Sequence, residues 1–145
     1  MVRFAAPAAL ALALAACTQQ AEREAPVEQA ATEEAAAVEL IPAADLAAMM
    51  AAGEALVIDV RTPAEFAESR LAGALNAPLS TFDPASIPMM EDRETILYCG
   101  SSRRSGIAAE MLAEHKGGKV RHLEGGITAW KEAGLETQAE PEPEA

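Results

Sequence analysis

A chain of 145 residues is long enough for one hydrophobic core and too short for two. Half of its residues are apolar, which excludes disorder throughout, while aromatics at 3% predict an aliphatic core anchored by Phe66, Tyr98 and Trp130. A formal charge of −12 repels phosphate backbones, which argues against nucleic acid as a partner, and it requires any anion site to be built locally.

In chain order, Arg3 comes first as a short positive segment, followed by an Ala- and Leu-rich run from Phe4 to Ala16. That run is too short to cross a bilayer as a helix, which takes roughly 20 apolar residues, and it has the pattern of a signal peptide. Leu14-Ala15-Ala16-Cys17 resembles the bacterial lipobox. The resemblance implies cleavage before Cys17 and lipid on its sulfur and then its amine. The chain would then be anchored to a membrane of the bacterial cell envelope, facing the periplasm or the exterior. Several acyl chains hold stably where one alone is marginal. The plainer alternative is an ordinary secretory signal that ends near a Cys. Residues 17–36 follow as an Ala- and Glu-rich tether without aromatics and with Pro26. The folded domain is expected over 37–136, and residues 137–145, with Glu140, Glu142 and Glu144, read as a disordered acidic tail.

Within the domain, strands and helices alternate. Val38 to Leu40 is a short strand candidate. Ala43 to Ala52 places Leu46, Met49 and Met50 at helical spacing, with Gly53 ending the helix. Ala55 to Val60 is an apolar run suited to a strand buried on both faces. Thr62-Pro63-Ala64-Glu65 is a capping box with Pro at the first helical position, so a short helix begins there. Gly73 to Ala77 predicts a short strand, and Thr95 to Tyr98 another. Arg104 to His115 predicts a helix with Ile107, Ala108, Met111 and Leu112 on its packed face. Gly117-Gly118 breaks it, Lys119 to Leu123 is a strand, and Gly125-Gly126 opens a last helix through Glu132. This alternation predicts an α/β fold with a parallel sheet and helices on both faces.

Ligands of such sheets bind beyond the carboxyl ends of the strands. Asp59 ends one strand there and Cys99 follows another. Cys99-Gly100-Ser101-Ser102-Arg103-Arg104-Ser105 joins strand to helix. Unpaired N–H groups at a helix start, small residues that let the loop curl, and two arginines all favour a thiolate over a thiol. The same groups make an anion cradle from Gly100, Ser101, Ser102, Arg103, Arg104 and Ser105. The bland reading of Cys99 is a small buried core residue, and that of the arginines a solvated helix start. The latter is disfavoured because cations are unfavourable at that helix end, so something anionic should compensate them. Asp59 and Arg61 read as a supporting pair, Glu65 as part of the capping box, and His115 and His122 as structural or surface residues. Two isolated His and one further Cys make no zinc set, so no metal is expected.

Together these residues resemble the single-domain rhodanese-like family. Tyr98-Cys99 followed by Arg104-Ser105, with four residues between Cys and Arg, is similar to its active loop. Ile58-Asp59-Val60-Arg61 with Glu65-Phe66 is similar to its Asp-x-Arg strand and following helix. Gly73-Ala74-Leu75-Asn76-Ala77-Pro78 and Leu123-Glu124-Gly125-Gly126 through Trp130 to Gly134 resemble two further signatures. The chain departs from the family pattern in Ser69-Arg70-Leu71-Ala72, where Gly-His-Ile-Pro is common, and in Ser102, where Gly is common. Gly takes dihedrals that Ser disfavours, so the loop shape is the main question that Ser102 raises. The resemblance implies a five-stranded parallel sheet. It also implies a sulfurtransferase that takes a sulfane sulfur from a small anionic donor such as thiosulfate, or from a persulfide, onto Cys99 and passes it to cyanide or a thiol, with no cofactor needed. An alternative is a non-catalytic sulfur-binding or interaction module. A phosphatase or arsenate reductase is disfavoured because loops of that type are one residue longer. Disulfide exchange needs a resolving thiol, and a lipidated Cys17 supplies none.

Overall fold

The computed structural model describes residues 36–140. The expected signal segment, Cys17, the expected tether up to residue 35 and the last residues 141–145 lie outside the described residues. Five strands, β1 (Ala37–Ile41), β2 (Ala55–Asp59), β3 (Leu75–Asn76), β4 (Glu94–Tyr98) and β5 (Lys119–Leu123), form one parallel sheet in the order β1-β5-β4-β2-β3. Helices α1 (Ala43–Ala52), α2 (Pro63–Glu68), α3 (Arg103–Lys116) and α4 (Gly126–Glu132) complete the fold. No helix among the described residues is long and apolar enough to cross a membrane.

The sheet separates two clusters of buried side chains. On one face Ile58, Val60, Leu97 and Val120 pack against Ala108, Ala109, Leu112 and Ala113 of α3. On the other, Val57, Ile96, Tyr98 and Leu123 pack with Leu46 of α1 and Ile127 and Trp130 of α4. Successive residues of β2 therefore serve opposite faces, and Val57, Ile58 and Asp59 are all buried, as a doubly covered strand requires.

Three expectations need correction. Ile107 is 44% exposed. The packed stripe of α3 runs through Ser105, Ala108, Ala109, Leu112 and Ala113, and Ile107 lies about 100° around the helix from Ala108. Phe66 is only half-buried, because the short α2 rides on the surface and buries none of its residues; Arg70 stacks over its ring at 4.8 Å. Phe82, not singled out from the sequence, is buried instead. It lies in a segment of two 3-10 turns, Leu79–Thr81 and Pro84–Ser86, that closes the α3 side. Finally, order does not stop at 136. Arg70 and Gln138 exchange backbone hydrogen bonds of 2.7 and 2.8 Å, and the Glu140 N–H donates to the Ala67 carbonyl, so otherwise unpaired backbone groups around α2 take the start of the acidic segment as a partner.

Candidate active site

Strand order reverses between β4 and β2. Chain leaving β4 continues through α3 to β5 on one side, and chain leaving β2 continues through α2 to β3 on the other. This opens a crevice at the carboxyl ends of the two strands. Asp59 ends β2, and Cys99 directly follows its register partner Tyr98 of β4.

The loop from Cys99 to Ser102 is shaped by α4. The Ile127 N–H donates to the Cys99 carbonyl (2.8 Å) and the Thr128 N–H to the Gly100 carbonyl (3.2 Å). With its carbonyls held on that side, the loop leaves its own N–H groups for the sulfur. Gly126 permits the approach: a Cβ there would stand 2.3 Å from the Cys99 carbonyl oxygen and 2.5 Å from the Gly100 carbonyl carbon. The sequence signature Gly125-Gly126 thus exists because α4 must press its backbone onto the loop. Ser102 answers the question its identity raised. It adopts a left-handed φ of +80°, the one non-glycine to do so among the described residues. Its Oγ donates to the Leu123 carbonyl at 2.9 Å, so a tie to β5 holds the loop in the shape a glycine would take freely.

Cys99 is 1% exposed. Burial pushes its thiol upward, but hydrogen bonds from the Ser105 hydroxyl and from the N–H groups of Ser105, Ser101 and Arg104 outweigh this and hold it below the ordinary range. The local dipoles therefore favour a thiolate. Ser105 is fully buried, its Oγ 3.1 Å from the Ser102 carbonyl oxygen and 3.0 Å from Nδ1 of His122.

The two arginines part company. Arg103 is exposed, whereas Arg104 lies against the loop, its Nη2 placed 3.5 Å from where a Cβ on Gly100 would stand. Arg104 is gripped end-on by Glu65, with Nη1 and Nη2 donating to Oε2 and Oε1 at 2.9 and 2.8 Å. Glu65 is also the reciprocal cap of α2 with Thr62. The Arg104 guanidinium and these caps lower the Glu65 carboxyl to about 2. The compensating anion demanded by the arginines is thus Glu65, 39 residues away from Arg104, and it serves that one alone. Beside Arg104 an open cleft of about 330 Å³ is walled by Val60, Thr62, Pro78, Leu79 and Ser80 and is mostly apolar.

Asp59 and Arg61 do not touch the sulfur. Arg61 donates through its backbone N–H, Nε and Nη2 to the Asp59 carboxylate and through Nη2 to the Ser69 carbonyl, with its guanidinium 5.6 Å from the centre of the Tyr98 ring. Burial disfavours the Arg61 charge, yet the Asp59 contact outweighs it and raises Arg61 above its usual value. Asn76 donates to the carbonyls of Asp59 and Arg61, fixing the end of β2. The pair thus binds itself and the Ser69 carbonyl at the end of β2. His115 is exposed in the last turn of α3, whereas His122 is buried against the loop. The sequence held one clue to His122: it shares a β5 face with Val120, which packs under α3.

Residues 42–133 match the profile of the family described as the rhodanese-like domain. An uncharacterised Synechocystis protein is 44% identical over 82 residues, which are 57% of this chain and 46% of that one. The chain thus matches about half the length of that relative. A protein of Allochromatium vinosum named sulfurtransferase is 37% identical over 82 residues, 57% of this chain and 77% of that one. Among solved structures, a rhodanese-related protein of Thermoplasma volcanium superposes with a TM-score of 0.59 at 29% identity, covering 69% of this chain and 97% of the other.

Proposed function

The chain belongs to the rhodanese-like domain family, which includes sulfurtransferases, and from that membership we propose that it moves a sulfane sulfur through a persulfide on Cys99. One observation carries the reading: Cys99 is buried at the head of a loop whose Cys99 and Gly100 carbonyls are tied back to α4, so that the loop N–H groups and the Ser105 hydroxyl hold its thiol below the ordinary range. A thiolate formed in this way needs no deprotonation at the moment of attack.

In the first half-reaction the Cys99 thiolate attacks the outer sulfur of thiosulfate or of an organic persulfide. The new Sγ–S bond forms as the donor S–S bond breaks, and sulfite or a thiolate leaves with the electron pair. The loop N–H groups then face the terminal sulfur anion. In the second, cyanide or a thiol attacks that terminal sulfur and Cys99 leaves as the thiolate it was. The cycle is closed in electrons and needs no external oxidant.

The same reading includes the anchor. Lipidated Cys17 would hold the domain at a membrane of the cell envelope through the tether of residues 18–36, leaving Cys99 as the one thiol of the mature chain. A mass spectrum of the mature N-terminal peptide tests this, and an unmodified Cys17 following a signal cut elsewhere rejects it.

The activity is tested by thiocyanate formation from thiosulfate and cyanide. The wild type is expected to turn over and Cys99→Ala to fall to background. Equal rates in the two, or no turnover by the wild type together with hydrolysis of an aryl phosphate, would reject sulfur transfer. A wild type that neither turns over nor gains a sulfur atom on Cys99 after exposure to thiosulfate would leave the domain as an interaction module.

A further inference from the structure

His122 is buried on β5, and its ring lies between that strand and the first turn of α3. It is 7% exposed. Nδ1 stands 3.0 Å from the Ser105 Oγ, and Cε1 lies under Gly106, where a Cβ would stand 3.4 Å away. Glycine at 106 therefore leaves room for an imidazole beneath the helix. Neither the sulfur transfer above nor the packing of the apolar core requires a histidine here.

The hydrogens around Ser105 can be counted. Its hydroxyl carries one, and three groups compete for it: the Cys99 sulfur, the Ser102 carbonyl at 3.1 Å and Nδ1 of His122. A carbonyl and a thiolate only accept. The imidazole alone can take either role. With its proton on Nε2, Nδ1 accepts and draws the Ser105 hydrogen away from the sulfur. With its proton on Nδ1, the ring donates to Oγ, and the hydroxyl hydrogen goes to the Ser102 carbonyl or to Cys99; the carbonyl already accepts from the Gly106 N–H at 2.8 Å, and a charged thiolate is the stronger acceptor. A hydroxyl that accepts one hydrogen bond also donates a stronger one.

We propose that His122 is a positioning residue for Cys99: its Nδ1–H donates to the Ser105 hydroxyl, which in turn donates to the thiolate. The chain of groups runs from β5 through the first turn of α3 to the end of β4, so three elements must stay in register for the sulfur to stay charged. Burial holds His122 below the usual histidine range, with Glu110 of α3 opposing that shift, so the ring works as a neutral donor. The inference rests on Cys99 acting as a thiolate and is independent of which donor or acceptor it meets.

Two measurements test it on the full chain. The first is the thiolate absorbance of Cys99 in the far ultraviolet against pH, with the signal of Cys99→Ala subtracted. His122→Leu is expected to raise the midpoint by about one pH unit, a tenfold loss of thiolate on the acid side. His122→Asn, whose side-chain N–H can stand in for Nδ1–H, should return it to within about twofold of wild type in thiolate fraction. Ser105→Ala should raise the midpoint as much as His122→Leu does, and the double variant should add nothing further. A wild-type midpoint in folded His122→Leu, or full additivity with Ser105→Ala, overturns the proposal. The second measurement needs no substitution at the site. The ¹⁵N chemical shifts of the wild-type ring, separated from those of His115 by comparison with His115→Asn, report the tautomer directly. Protonated Nδ1 supports the proposal, and protonated Nε2 with a bare Nδ1 overturns it even if His122→Leu does not fold.

Discussion

Two neighbouring strand ends in this sheet handle a buried negative charge in opposite ways. At the end of β2, Asp59 is answered by a full cation: Arg61 wraps back onto it through three nitrogens, and both side chains are buried. After β4, the N–H groups of Ser101, Arg104 and Ser105 and the Ser105 hydroxyl hold the Cys99 thiol down, while the Arg104 guanidinium beside the loop is occupied by Glu65. A charge neutralised by a bidentate ion pair is fixed and inert. A charge held by partial dipoles keeps its nucleophilicity and stays free to form a bond. The crevice thus spends one whole ion pair on shape and holds Cys99 mainly by dipoles, with the Arg104 guanidinium acting on it while paired to Glu65.

Breaking the ion pair should have the largest effect. Asp59→Ala leaves a buried, unpaired guanidinium and is expected to cost about 3–5 kcal/mol in urea denaturation. Cys99→Ala should cost about 1 kcal/mol, near the average for point variants. Similar losses for the two would erase the distinction drawn here. Gly126→Ala comes next. Its Cβ would collide with the Cys99 and Gly100 carbonyls and its φ of +59° is strained for alanine, so a loss of about 1–3 kcal/mol is expected. The displaced loop N–H groups should also cut the thiocyanate rate at least tenfold. A full rate in that variant would show that the dipoles on the sulfur do not depend on α4. Ser102 gives the smallest and most discriminating effect. Ser102→Ala keeps the left-handed strain and loses the tie to Leu123, whereas Ser102→Gly loses the tie but also the strain. The glycine variant should therefore be more stable than the alanine variant by about 1 kcal/mol, with a rate close to wild type. Equal stabilities would mean that Ser102 is not strained in the folded chain.

The parts of the molecule that could be read from sequence are those whose signal is local. The apolar run into Asp59, the Thr62 capping box and the uninterrupted loop from Cys99 to Ser105 carry their reasons within a few residues. What escaped depends on partners far apart in the chain. Glu65 satisfied a local rule as a cap, which hid its grip on Arg104 39 residues later. His122 looked like an ordinary strand residue because its contact with Ser105 exists only once α3 lies on β5. Phe82 and Ile87 sit in a stretch with neither helical nor strand periodicity. The Asp83-Pro84 turn, in which the Asp83 carboxylate accepts from the Ala85 N–H and the Ser86 hydroxyl, was its readable mark. The Arg70–Gln138 pairing escaped for a different reason: composition says nothing about which backbone groups elsewhere lack partners.

The depth of Cys99 also has a consequence for reach. With only 1% of the residue exposed, the bare thiolate lies at the floor of its loop, and what can touch it is narrowed by size before it is chosen by charge. The sulfur atom that the proposed cycle places on it would lengthen the side chain by about 2 Å. In the proposed cycle the two halves would then present different faces to the outside: an empty site that admits a slender donor, and a loaded one whose terminal sulfur stands nearer the surface. An acceptor as bulky as a cysteine on another protein would meet the second and be refused by the first, so in that cycle the cargo itself would set the order in which partners are admitted.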